Sequence, residues 1–244
     1  MRRLSKAGIA LTAGVIVYAA TIALTTPAAR TAAPARAEWK LPVTPRPQPR
    51  PARPADAPSS FLETLRKHEQ VNNWVELGVL ALRDSGDAPT ADRRAAIDLL
   101  KRHTTNGGFP ALFAVAHHQW LLGDKEAACR SFVRASVVGV IDAQRCTDTT
   151  ARQAVSVIRA RFVALADHLK SVPAETKVVW TREALDFEAS ISDREPARWI
   201  AAHGMKASFP AGEAAPAAEA FLSDADWAAA RQRTRESILG SLPK

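Results

Sequence analysis

Between Ser59 and His203 the apolar positions recur three and four residues apart, the spacing of one buried face on an α-helix. Ser59 or Ser60 can cap a first helix, with Glu63 in the capping-box position. Its apolar series runs through Phe61, Leu62 and Leu65 to Val71, Trp74, Val75 and Leu77, with a break at Asn72-Asn73. The polar stretch 84–89 ends it. The pattern then predicts helices over 91–103, 110–122 and 124–138, parted by Asn106-Gly107-Gly108 and by the turn Gly123-Asp124. A longer helix, capped by Thr147 or Asp148, reaches Leu169 and is closed by Pro173. Two more are expected over 175–187 and 194–203. Ala, Leu, Arg and Glu dominate, and β-branched runs are few, so the body over 59–203 is predicted to be all-α.

After the body the pattern changes. Residues 204–222 begin with an Ala-, Pro- and Gly-rich stretch and read as a connection. Ser223-x-x-Asp226 then opens a final helix over 223–244, carrying Trp227, Ala230, Thr234, Ile238 and Leu239. That helix can fold back as a cap on the body or serve as a partner-binding helix on a tether; the cap is slightly favoured.

The N-terminus follows a different pattern. Arg2, Arg3 and Lys6 precede a stretch without charge from Ala7 to Ala29, and residues 8–24 are mostly apolar. Basic residues ahead of an apolar run hold that end in the cytoplasm while the run enters the membrane. The run is longer than a usual signal-peptide core and falls within the roughly 17–25 residues that span a bilayer. Its length favours an uncleaved signal anchor over 1–29. The alternative is a signal peptide cleaved near Ala28 or Ala37. Either way the rest of the chain is expected outside the cytoplasm, in the periplasm of a bacterium. Residues 30–58 carry proline at every second or third position from Pro42 to Pro54, which favours an extended polyproline spacer. Trp39, just ahead of it, suits the membrane interface.

Charge narrows the partners. The formal net charge is +8. Residues 1–58 hold 9 Lys and Arg against 2 Asp and Glu, whereas residues 59–244 hold 24 against 23. The basicity belongs to the anchor and spacer, and a nearly neutral body has no electrostatic footprint for nucleic acid. Cys129 and Cys146, an even pair in an oxidising compartment, are expected to form a disulfide. A helix ending near Gly139, followed by a returning segment, would bring the two thiols to similar height.

In the middle of the body the helices come as short antiparallel pairs. Leu112, Val115 and Ala116 stand ahead of the turn Gly123-Asp124, and Ala128, Phe132 and Ala135 follow it at small-large-small spacing. Upstream, Trp74-x-x-Leu77-Gly78-x-x-Ala81 has the form of a repeat opening. Over about residues 70–142 the chain resembles the tetratricopeptide family and its cysteine-containing secreted relatives. The resemblance implies α/α hairpin repeats, in a solenoid or an irregular bundle, with a concave surface for a protein or peptide segment. The inner-helix residues it puts forward for that surface are Ala114, His117, His118 and Leu121. The family has no catalytic residues to carry over.

Signatures of chemistry are missing from the sequence. It has no Gly-x-Ser-x-Gly elbow, phosphate loop, His-Glu-x-x-His or dinucleotide fingerprint, so no cofactor is expected. Nor is a metal expected, because the histidines include no i,i+4 pair. The acidic group Glu183, Asp186, Glu188, Asp193 and Glu195 could suggest paired carboxylates for glycan cleavage. Arg182, Arg194 and Arg198 sit among them, and a salt-bridged solvated face is the default. The expectation is therefore a non-enzymatic, membrane-tethered adaptor in an envelope assembly for secretion, pili or wall synthesis. The alternatives are an envelope enzyme such as a wall-glycan hydrolase using Glu183, and a soluble periplasmic chaperone.

Overall fold

A computed structural model of the chain describes residues 60–83, 88–104, 108–191, 198–201 and 220–243. The anchor, the spacer, Trp39, most of the expected 194–203 helix and the 204–218 connection lie outside these residues. Every element within them is helical, apart from one isolated antiparallel bridge between Cys146 and Phe221. None of the helices among the described residues is long and apolar enough to cross a membrane. The all-α expectation for the body holds.

Helix α1 (Ser60–Gln70) buries Phe61, Leu62 and Leu65. It stops because Asn72 takes a left-handed backbone at φ 54°, which returns the Asn72 and Asn73 amides to the Glu69 and His68 carbonyls. Asparagine tolerates that conformation, and the two bonds form a Schellman closure. Helix α2 (Trp74–Arg83) follows, and then α3 (Thr90–Arg102). Glu69 ties the ends of α1 and α3 together, accepting from Arg102 at 3.0 Å and lying 2.9 Å from the His103 ring.

Helix α4 (Gly108–Leu121) is the middle of the body. All residues from Phe109 to Ala116 are buried. Ala111, Ala114 and Val115 pack with α1, α2 and α3, whereas Phe109, Leu112, Phe113 and Ala116 belong to a second apolar core centred on the next helix. Gly123, at φ 85°, repeats the Schellman closure by directing the Gly123 and Asp124 amides to Trp120 and Gln119. Asp124 then caps α5 (Lys125–Ala143) by accepting from the Ala127 amide at 3.3 Å. Two adjacent residues thus end one helix and start the next.

Helix α5 gathers the remainder. A 3₁₀ turn (Thr149–Arg152), α6 (Gln153–Arg159), α7 (Val163–Ser171), α8 (Ala174–Ser190) and the C-terminal α10 (Asp224–Gly240) all pack against it. The short α9 (Arg198–Ala201) lies on the 3₁₀ turn. Two expectations change here. Helix α5 does not stop at Gly139 but continues to Ala143, because glycine there allows the Phe109 ring and Val155 to approach. The single helix expected after Asp148 is instead three pieces. It breaks where the buried Phe162 leaves helical geometry and turns inward, stacking on Phe113 with centroids 5.5 Å apart.

Gly78 sets how closely α2 can approach α4. A Cβ at this position would meet the Ala111 nitrogen at 2.7 Å and the Pro110 carbonyl carbon at 3.0 Å, both backbone atoms that cannot rotate away. Gly78→Ala is expected to destabilise the body by about 1–3 kcal/mol through overpacking. Gly139→Ala meets only side-chain atoms of Phe109 and Val155 at 3.1–3.2 Å. Those can shift, and alanine's better helix propensity offsets part of the strain. Urea denaturation of the two variants should separate them clearly; equal losses would contradict the backbone contact.

Candidate functional site

The four residues proposed for a binding face all lie on α4, and its burial divides them. Ala114 and His118 are fully buried, His117 is half-buried, and Leu121 alone is exposed. An external peptide cannot reach all four. The inner-face expectation is corrected: α4 is covered by α2 and α3 on one side and by α5 on the other. The signal was present in the sequence, since a helix apolar all round up to His117 is a buried one.

His118 is held in an apolar setting. Its ring lies 5.4 Å from Phe61 and 5.7 Å from His117. Neither ring nitrogen has a partner in good hydrogen-bond geometry, and the Ala81 backbone supplies only a weaker contact. Burial pushes its pKa down to about 3, and His117 and the Arg93 cation act in the same direction. His117 is lowered as well, first by burial and then by Arg93 and Arg161. Both rings are therefore neutral at neutral pH and act as packing groups.

The expected disulfide is also corrected. Cys129 and Cys146 are free, buried thiols. Because α5 runs on through Gly139 to Ala143, Cys129 is carried along an unbroken helix rising about 1.5 Å per residue, so it lies roughly 20 Å below the helix end that Cys146 follows. A bridge needs α-carbons within about 7 Å. Burial raises both thiol pKa values, that of Cys146 to about 11, which keeps them out of the reactive thiolate form.

The acidic group of α8 resolves into unlike roles. Both carboxylate oxygens of Glu183 accept from the Arg130 guanidinium of α5 at 2.7 Å. Asp186 is exposed. Glu188 is fully buried and belongs to a polar clamp. The Arg231 Nε donates to one of its oxygens at 2.6 Å, and Arg235 donates to the other. The two guanidiniums also donate to backbone carbonyls, Arg231 to Glu188 at 2.7 Å and Arg235 to Leu185 at 2.8 Å. Asp193 and Glu195 lie outside the described residues. The partners expected from local sequence were Arg182, Arg194 and Arg198. Among the described residues, partners come from α5 and α10, and nothing in the spacing announces such distant pairs.

The clamp fixes α10 to the body. Ser223 caps it, accepting from the Asp226 amide at 3.2 Å and donating to the Asp226 carboxylate at 2.6 Å. Ahead of the cap, the Thr147 amide donates to the Ala220 carbonyl at 3.0 Å and the Leu222 amide to the Arg145 carbonyl at 2.8 Å. Arg145 also bonds Asp224 at 3.2 Å and lies 5.6 Å from the Trp227 ring. The C-terminal helix is thus folded back on the body.

No family model matches the chain, and neither a curated protein nor a solved structure does. Among the described residues no group of three or more His, Cys, Asp or Glu is arranged to hold a metal. A shallow hollow on α1, lined by Glu63, Arg66, Lys67 and Gln70, is mixed in charge and drawn from a single helix. The feature that joins distant parts of the chain is the Glu188 clamp and the apolar patch beside it, where Trp227 and Ile238 meet Val137, Ile141, Ala184 and Leu185.

Proposed function

We propose that the chain is a membrane-tethered adaptor of a bacterial envelope assembly, its helical body held outside the cytoplasm to bind protein partners. The observation that carries this reading is the order of charge at the N-terminus: Arg2, Arg3 and Lys6, then no charge from Ala7 to Ala29, then the proline spacer. Residues 8–24 are the membrane segment, and the spacer lifts the body away from the lipid. Supporting a tetratricopeptide-like hairpin, Leu112, Ala116, Ala128, Phe132 and Ala135 are all buried in one cluster, as small and large contacts between α4 and α5 must be. Glu183, engaged by Arg130 through both oxygens, favours an adaptor over a glycan hydrolase that would need that carboxylate.

The test is cross-linking in intact cells, recovery from the membrane fraction in mild detergent, and mass spectrometry of both the partners and the N-terminus. The adaptor reading expects a stable set of envelope proteins with the 1–29 segment retained. A soluble protein starting after Ala28 or Ala37, and recovered without partners, would replace it with a free chaperone or an enzyme.

A further inference from the structure

Helix α10 is held differently from the rest of the body. Of its 17 residues only Ala230 and Ile238 are buried. The apolar patch it covers, Val137 and Ile141 of α5 with Ala184 and Leu185 of α8, forms a small cluster of its own, apart from the two larger cores. Beside that patch a fully buried carboxylate, Glu188, is met by the partly exposed guanidiniums of Arg231 and Arg235. A buried ion cluster adds little net stability, because separation rehydrates every charge. It is nonetheless selective, since a buried carboxylate left without its cations is strongly disfavoured. The contact is therefore built for recognition more than for depth. It is also joined to the body through the Ala-, Pro- and Gly-rich stretch 204–218.

We propose that the α5–α8 face beneath α10 is a helix-docking site, and that α10 occupies it in cis until a partner's helix of the same chemistry displaces it. The chemistry is set by the face. Glu188 takes two guanidiniums, so the ligand is a helix with arginines four residues apart, like Arg231 and Arg235. Apolar residues stand one turn to either side of that pair, at the places of Trp227 and Ile238. Lysine does not substitute at the place of Arg231, whose Nε donates to the carboxylate while its Nη2 donates to the Glu188 carbonyl. The inference rests on the adaptor reading, to which it supplies the face and the class of partner.

The experiment uses the full chain carrying a protease site within 204–218, cut after folding and mixed with a fluorescent peptide of residues 220–243. The cut chain is expected to exchange its own helix for the peptide while its circular dichroism is retained apart from α10. The uncut chain should bind the peptide far more weakly, because the tethered helix competes at an effective concentration in the millimolar range. A peptide with Arg231→Ala and Arg235→Ala should bind the cut chain at least about 100-fold more weakly. Arg→Lys at both positions should also weaken it, and Glu188→Gln in the chain should sharply reduce the difference between these peptides, leaving only what the backbone carbonyls contribute. Three results would overturn the proposal: a fragment that never exchanges, a body that unfolds once α10 leaves, or an arginine-free peptide that binds equally well. Exchange accompanied by a concentration-dependent dimer that the peptide dissociates would also overturn it, making a second copy the occupant. Envelope partners whose cross-linking does not depend on Glu188 would remove this site and leave the tethered adaptor standing.

Discussion

Replacing Phe113 with alanine is expected to cost about 3–5 kcal/mol of folding stability. The side chain is fully buried in the larger core. Its ring meets Phe109 edge-on at 6.1 Å and Phe132 edge-on at 5.6 Å, and it stacks on Phe162 at 5.5 Å. Truncation therefore removes the burial of one ring and the partner of three others, and it opens a cavity between helices α4 and α5 and the turn at Phe162. Rigid helices on every side leave little room for collapse, which puts the loss toward the upper part of the range. Urea denaturation followed by circular dichroism measures it. Phe113→Leu, which fills most of the space, should lose clearly less. A loss below about 1 kcal/mol for the alanine variant would mean that this aromatic cluster is not the core of the body.

Mild acid is expected to destabilise the body through His118. Its folded pKa is pushed from the ordinary 6.5 to about 3, while the unfolded chain takes up the proton near 6.5. The unfolded state thus binds more protons across that interval, and stability is lost as pH falls from 6.5 toward 3. The slope approaches 1.4 kcal/mol per pH unit for the single group. His117 adds to it with the same sign. Between pH 6.5 and 5 most carboxylates keep their charge, so the two histidines dominate that part of the curve. His118→Leu removes the larger share and should flatten the melting temperature over this range. A variant that keeps the wild-type slope would show that His118 is already solvated or paired. The residue facing His118 from α1 is Phe61, so α1 is the element expected to loosen first.

What could be read from the sequence was whatever is settled by neighbouring residues. Asn72-Asn73 and Gly123-Asp124 mark helix ends because a left-handed backbone and a capping carboxylate act within a few residues. Ser223 and Asp226 announce a helix start for the same reason. Gly139 was misleading because glycine serves two purposes. It can end a helix, or it can admit a neighbour's side chain, and here it admits Phe109. That one difference lengthens α5 and separates the two thiols. Phe162 breaks a helix for the sake of a stack with Phe113, a residue far behind it in the chain, and no local pattern contains that contact. The site fared worse than the fold for a related reason. His117 and His118 were placed on a binding surface by analogy with inner repeat helices, whereas the third layer supplied by α5 turns α4 into interior. Glu188 was grouped with its acidic neighbours by proximity, yet its role is decided by arginines on α10.

The most direct test of the tethered adaptor is protease shaving of spheroplasts, read by the mass of what remains in the membrane. Protease added from outside is expected to remove the helical body and leave a membrane-bound remnant containing residues 1–29. A body that survives intact until the membrane is lysed would place it in the cytoplasm and rule out a tethered envelope adaptor.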